Sequence, residues 1–239
     1  IEEAVIVPEN IVVDQLKKIW SKYTKYKIPK NYRRNWYYRQ TTWMDNQCVE
    51  YLEALFDGND GYRIPQLIIS EGRYAQHKEY KGLPPFSAVN FYNMCVKSPV
   101  EKSKCKLIDY PISLYKDFAA VYRCSISKIL HSSNDNEIFV YELIPIKSKN
   151  VEYVRLYVCS TDNNILRYEV RVHNGMYFNY HDLPFKEPIT NIEISYSKDS
   201  ENMPSISSIK FESTFMIGDT DINYGISKCR VSSMLTKSS

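Results

Sequence analysis

The 239 residues carry 44% hydrophobic and 25% charged side chains, the proportions of a chain that buries a core and not of one that stays disordered. No run approaches the ~18 uninterrupted apolar residues of a membrane helix, and the stretch from Ile1 to Pro8 has no basic n-region, so neither a spanning helix nor an intact signal peptide is expected. Thirty-one basic against 28 acidic residues balance at +3, which by itself implies no polyanionic partner, and seven Gly against 21 Tyr leave little for phosphate loops and much for β surfaces.

Residues 1–10 read as a linker-like lead-in. Val12, Leu16, Ile19, Tyr23 and Tyr26 then recur at helical spacing and predict an amphipathic helix over 11–28, with Asn10 as N-cap, Asp14 in its first turn, lysines in its last turn and Pro29 as its stop. Beyond it the pattern becomes β. Trp36–Met44 and Cys48–Phe56 predict a hairpin around Asp45-Asn46-Gln47, and the next extended stretch, 63–74, carries Pro65, which marks an edge strand or one that enters the sheet late. The segment 75–118 is irregular, with one short helix over 87–96 capped by Ser87.

From 119 to 235 the strands follow one another as a meander: 119–130, 137–146, 151–160, 165–173, 176–181, 189–197, 205–217 and 224–235, each step separated by turn chemistry such as Asp162-Asn163-Asn164 or Asn174-Gly175. Short connections demand antiparallel neighbours, and a sheet that long must curl or close. The expected fold is therefore α+β, mostly β. It is a single domain spanning 1–239, a long curved antiparallel sheet or half-open barrel with the N-terminal helix packed on its concave face. The last residues, Thr236 to Ser239, are expected to fray.

The first forty residues concentrate charge. Between Asp14 and Asp45 there are nine bases and no acid, so the remainder of the chain carries −6. Lys17, Lys18, Lys22, Lys25, Arg33, Arg34 and Arg39, with Trp20, Tyr23, Trp36, Tyr37 and Tyr38 among them, are the groups that an anionic lipid surface or a single-stranded nucleic acid would select, although an amphipathic helix with a solvated basic face accounts for the same pattern. The six cysteines form no Cys-x-x-Cys pair, which argues against structural zinc, and Cys124 and Cys159 read as buried thiols inside apolar strands.

Chemistry-bearing constellations are sparse. His173, His181 and Asp182 flank a predicted hairpin and define a candidate hydrolase cluster; His77 and His131 stand alone. Two Ser-x-x-Lys strings fall in strands, where positions three apart face opposite sides. Glu50 and Glu53 are expected on an outward strand face. The aromatic residues Trp36, Tyr38, Trp43 and Tyr51 lie in neighbouring strands and are the candidate ligand-binding set, able to line an apolar cavity or simply to form the core between helix and sheet. No cofactor and no metal site is expected.

The segment Glu3-Ala4-Val5-Ile6-Val7-Pro8-Glu9-Asn10, the helix after it, Asn31-Tyr32, Trp36-Tyr37-Tyr38-Arg39 and Val49-Glu50-Tyr51-Leu52-Glu53-Ala54 resemble the Bacteroidetes envelope proteins that carry a carboxypeptidase-regulatory-like domain. There such a segment follows a small β-sandwich and begins a second domain. The pattern from Leu156 to Glu169 resembles a strand pair of lipoprotein-carrier-like half-barrels. Two departures stand out: the sandwich is absent, and Gln40 stands where that family often has an acid. The resemblance implies an exported, signal-trimmed, non-catalytic domain in the periplasm or at the outer membrane, whose partner is an apolar or amphipathic ligand or another envelope protein. A basic module for anionic lipid is the alternative, with nucleic acid the less favoured partner.

Overall fold

The computed structural model describes residues 7–25, 33–59, 67–80, 118–120, 122–131, 136–146, 151–173, 185–198, 202, 204–217 and 227–238. The expected helix over 87–96, the strand over 176–181, His181, Asp182, Cys95 and Cys105 lie outside them.

Helix α1 spans Glu9–Lys25. It starts earlier than the Asn10 cap predicts, because the Pro8 carbonyl accepts from the N–H groups of Ile11 (3.0 Å) and Val12 (3.3 Å) and so begins the ladder itself. Ten strands follow: β1 Arg33–Met44, β2 Gln47–Asn59, β3 Leu67–Gln76, β4 Tyr122–His131, β5 Glu137–Pro145, β6 Val151–Cys159, β7 Ile165–His173, β8 Phe185–Lys198, β9 Pro204–Ile217 and β10 Ser227–Lys237. They form one antiparallel, open, curved sheet in the order β3-β2-β1-β10-β9-β8-β7-β6-β5-β4. The β1–β2 turn is Asp45-Asn46, both at positive φ (44° and 77°), the conformation that matches the twist of a tight hairpin. β3 begins two residues after Pro65 and is an edge strand.

Alternation sorts the side chains into two faces. Trp36, Tyr38, Phe56, Val231, Leu235, Phe211, Ile194, Tyr168, Leu156 and Tyr141 all point to the concave side and join the buried face of α1, Val12, Leu16 and Ile19, in one core. The helix is tied down polar group by polar group. The Glu9 carboxylate accepts from the Cys124 N–H at 2.8 Å, Tyr141 donates to Gln15 at 3.0 Å, and Lys22 donates to the Asp162 carbonyl (2.9 Å) and to Asn164 Oδ1 (2.5 Å) in the β6–β7 turn.

The convex side is a ladder of charges. Glu142 meets Arg155 at 2.7 Å, Arg167 meets Glu169 at 3.1 Å, and Lys210 meets Glu193 at 3.0 Å, with Arg155 and Arg167 also lying over the Tyr153 and Tyr157 rings.

Three expectations are corrected here. Thr236 to Ser238 do not fray: Thr236 and Lys237 pair with Tyr37 and Trp36, and the Ser238 N–H bonds to the Asn35 carbonyl at 2.8 Å. Cys124 is buried as expected, but Cys159, the last residue of β6, is only half-buried, beside Thr161. Glu50 does not share an outward face with Glu53. Three positions apart in a strand means opposite sides, and Glu50 points into the core.

Because the chain end is a sheet strand, its side chains carry stability. Leu235→Ala should cost about 2–5 kcal/mol in urea unfolding, whereas Ser232→Ala on the exposed face should stay within about 0.5 kcal/mol.

Candidate functional site

The first hairpin presents different chemistry on its two faces. On the concave face Trp36 sits opposite Phe56 of β2, and Tyr38 opposite Ala54, with Tyr38 edge-on to Phe56 at 6.2 Å between ring centroids. Trp36 is completely shut off from solvent, and its Nε1–H has no acceptor among the described residues. Gly58 lies against the indole. A Cβ there would come within 2.8 Å of both Cδ1 and Nε1, so only a bare backbone leaves room beside the indole edge.

One turn of the strand pleat further on, the same face holds a polar island. Thr42 donates to Glu50 Oε2 at 2.7 Å, Gln40 Nε2 donates to the same oxygen at 3.2 Å, and Tyr38 donates to Gln40 Oε1 at 3.1 Å. All are buried; Glu50 is 3% exposed. Cys229 of β10 lies beside them, its thiol pushed up to about 12 by burial and by the nearby Glu50 and Asp45 charges. Cys124 is likewise pushed up to about 12 by burial and by Glu9. Neither thiol is a nucleophile at neutral pH.

The convex face of β1–β3 holds a second cluster, around Glu53. Tyr37 donates to Oε1 at 2.5 Å, Tyr51 donates to the same oxygen, and Arg73 Nε donates to Oε2 at 2.5 Å. The two phenols, partly offset by desolvation and helped by Arg73, hold the carboxyl down at about 2, while Tyr37 is raised to about 12 by its bond to Glu53 and by desolvation. A shallow groove of about 340 Å³ runs over this cluster, lined also by Leu55, Glu71 and Gly72.

The aromatic candidates are therefore divided. Trp36 and Tyr38 share the concave face, whereas Trp43 and Tyr51 point to the convex side, Trp43 under Arg230 and Tyr51 on Glu53. Parity was the available signal: 36 and 38 are even, 43 and 51 odd. The basic candidates are also spread out. Lys17 and Lys18 are exposed on α1, with Lys17 paired to Asp14. Lys22 is committed to the β6–β7 turn, and Lys25 ends the helix. Arg33 and Arg34 are exposed at the start of β1, and Arg39 stands on the convex face. His173 bonds to Glu152 on the convex side. Among the described residues no group of three His, Cys, Asp or Glu is placed to hold a metal ion. The Tyr38–Gln40–Thr42–Glu50 island was not foreseen. Its signal was Gln40, Thr42 and Glu50 on the parity of the apolar positions.

No protein-family model matches the chain, and no curated protein does. Among solved structures, a LolA superfamily protein from Nitrosomonas europaea is similar over 98% of this chain and 93% of its own, at 12% identity and a TM-score of 0.36. A DUF1329 family protein from Desulfovibrio piger is similar over 97% and 94%, at 8% identity and a TM-score of 0.34. Nothing among the comparisons supports the carboxypeptidase-regulatory-like family. Likeness at that level does not fix a function.

Two outcomes follow from the clusters. Thr42→Val keeps the shape but removes the shortest bond to the buried Glu50 carboxylate, and should cost about 1–3 kcal/mol in chemical denaturation. Glu53, with its folded value depressed to about 2 from 4.5, stabilises the fold fully above the ordinary carboxylate range. The stability difference between wild type and Glu53→Gln should be constant above about pH 5 and vanish as pH falls through about 2, read from urea midpoints across that window.

Proposed function

We propose that this chain is a non-catalytic, extracytoplasmic domain of the cell envelope, in the periplasm or at the outer membrane, that holds an apolar or amphipathic ligand against the concave face of its sheet. This is the carrier-like role that the half-barrel resemblance implies. The observation that carries the proposal is the buried indole N–H of Trp36, which has no acceptor among the described residues. Leaving such a donor unmade costs about 1–3 kcal/mol, and native structures keep few of them. A ligand oxygen would satisfy it once the packing of Gly58 and Leu67 against the indole edge opens to admit one, while the apolar wall around it takes a hydrocarbon chain.

The geometry of the sheet supports the same reading. Ten strands at ~4.8 Å spacing make a surface roughly 48 Å wide, and a 17-residue helix is roughly 25 Å long and 10 Å across. The concave face is thus far larger than α1, which is tied to it at β4, β5 and the β6–β7 turn.

Palmitate serves as the probe. Of three indole ¹H–¹⁵N resonances, the one that disappears in Trp36→Phe should move downfield as palmitate is added to the wild type. The loss of one hydrogen bond should weaken binding of palmitate to Trp36→Phe about tenfold. A Trp36 resonance unmoved at millimolar palmitate, or equal affinity in the variant, would sink the proposal.

A further inference from the structure

The edge strand β3 is exposed along nearly its whole length, with Ile68 at 59% and Ile69 at 62%. Edge strands that display apolar side chains are templates for strand addition unless charge, proline or a cover blocks them. Here the charges, Glu71 and Arg73, are of opposite sign, two residues apart and on the same, convex face.

The pairing of β3 with β2 sets which backbone groups face outward. The His77 N–H bonds to the Val49 carbonyl at 2.8 Å, and the register from Gln76↔Glu50 to Glu71↔Leu55 runs without interruption. Hydrogen-bonded pairs alternate in an antiparallel ladder, so 77, 75, 73 and 71 bond toward β2, and Gly72 directs its N–H and C=O to the outer margin.

We propose that β3 pairs with β3 of a second copy of this chain, antiparallel, about a two-fold axis at Gly72, extending the sheet across the dimer. Charge selects this register. With the axis at Gly72, each Glu71 stands opposite Arg73 of the other copy in a non-hydrogen-bonded pair, where side chains come closest. Moving the axis by one residue sets Glu71 against Glu71, or Arg73 against Arg73. Gly72 itself presents no side chain to crowd the axis, and a Cβ there would already lie 2.9 Å from the Glu53 carbonyl oxygen. Arg73 is held to Glu53 through Nε and one Nη, and its side chain is 76% exposed, within reach of the incoming carboxylate.

Sedimentation velocity decides it. The wild type at tens of micromolar should sediment at twice the monomer's 28.1 kDa, and Glu71→Arg, an exposed change that leaves circular dichroism unaltered, should be monomeric. An equimolar mixture of Glu71→Cys and Arg73→Cys should yield, on oxidation, more cross-linked dimer than either variant alone or the wild type. A wild type that stays monomeric at hundreds of micromolar overturns the proposal, including the case in which the monomer instead takes up an extended peptide from another protein. So does a dimer indifferent to Glu71→Arg, or cross-linking no greater in the mixture.

Discussion

The pairing of β1 with β10 is the constraint on which the rest of the molecule depends. It runs from Trp36↔Lys237 to Met44↔Cys229 and joins a hairpin near the start of the chain to a meander that ends at its last residues. Without it there would be two sheets, each with an apolar face to hide. With it, Trp36, Tyr38 and Thr42 lie beside Leu235, Val231 and Cys229 in one continuous concave wall. The entropic cost of closing so long a loop grows only slowly with its length, and the wall gained is large. Register is strict because the side-chain period is two. A slip of one residue would turn Trp36 and Leu235 to solvent and bring Arg39 and Arg230 inside.

Most of the elements were legible because each is a local device. The helix follows from Val12, Leu16 and Ile19 at helical spacing, the first turn from Asp45-Asn46, the late start of β3 from Pro65, and β6 and β7 from alternation around Asp162-Asn163-Asn164. What was not legible is non-local. Nothing in Thr236 and Lys237 announces that they pair with residues two hundred positions earlier, so a polar terminus reads as a loose end. The helix start was misplaced by two residues for a related reason: Asn10 is a good cap by type, but Pro8 offers its carbonyl first.

The candidate site was half legible. Aromatic residues in adjacent strands identify a ring-rich surface, but only parity assigns each ring to a face, and applied to 36, 38, 43 and 51 it divides the set. Glu50 misled because carboxylates are ordinarily outward. Its burial becomes intelligible once Thr42 and Gln40 are seen across the hairpin on the same parity, supplying the donors that a buried carboxylate requires.

That polar island accounts for how the two strands of the hairpin are held in step with each other. An apolar wall alone tolerates a slip of two residues, since alternation is then preserved and one branched or aromatic side chain replaces another. The island does not. Shifting β2 by two residues against β1 would carry Glu50 away from Thr42 and Gln40 and strand a buried charge among Val231, Cys229 and Tyr38, a penalty of several kcal/mol. A buried polar group is costly as a source of stability but effective as a marker of register, as a single polar residue is in a coiled-coil seam. The fixed register is in turn what brings Gly58 against the Trp36 indole and sets Glu53 between Tyr37 and Arg73, so the buried island determines the geometry of both the concave wall and the exposed margin of the sheet.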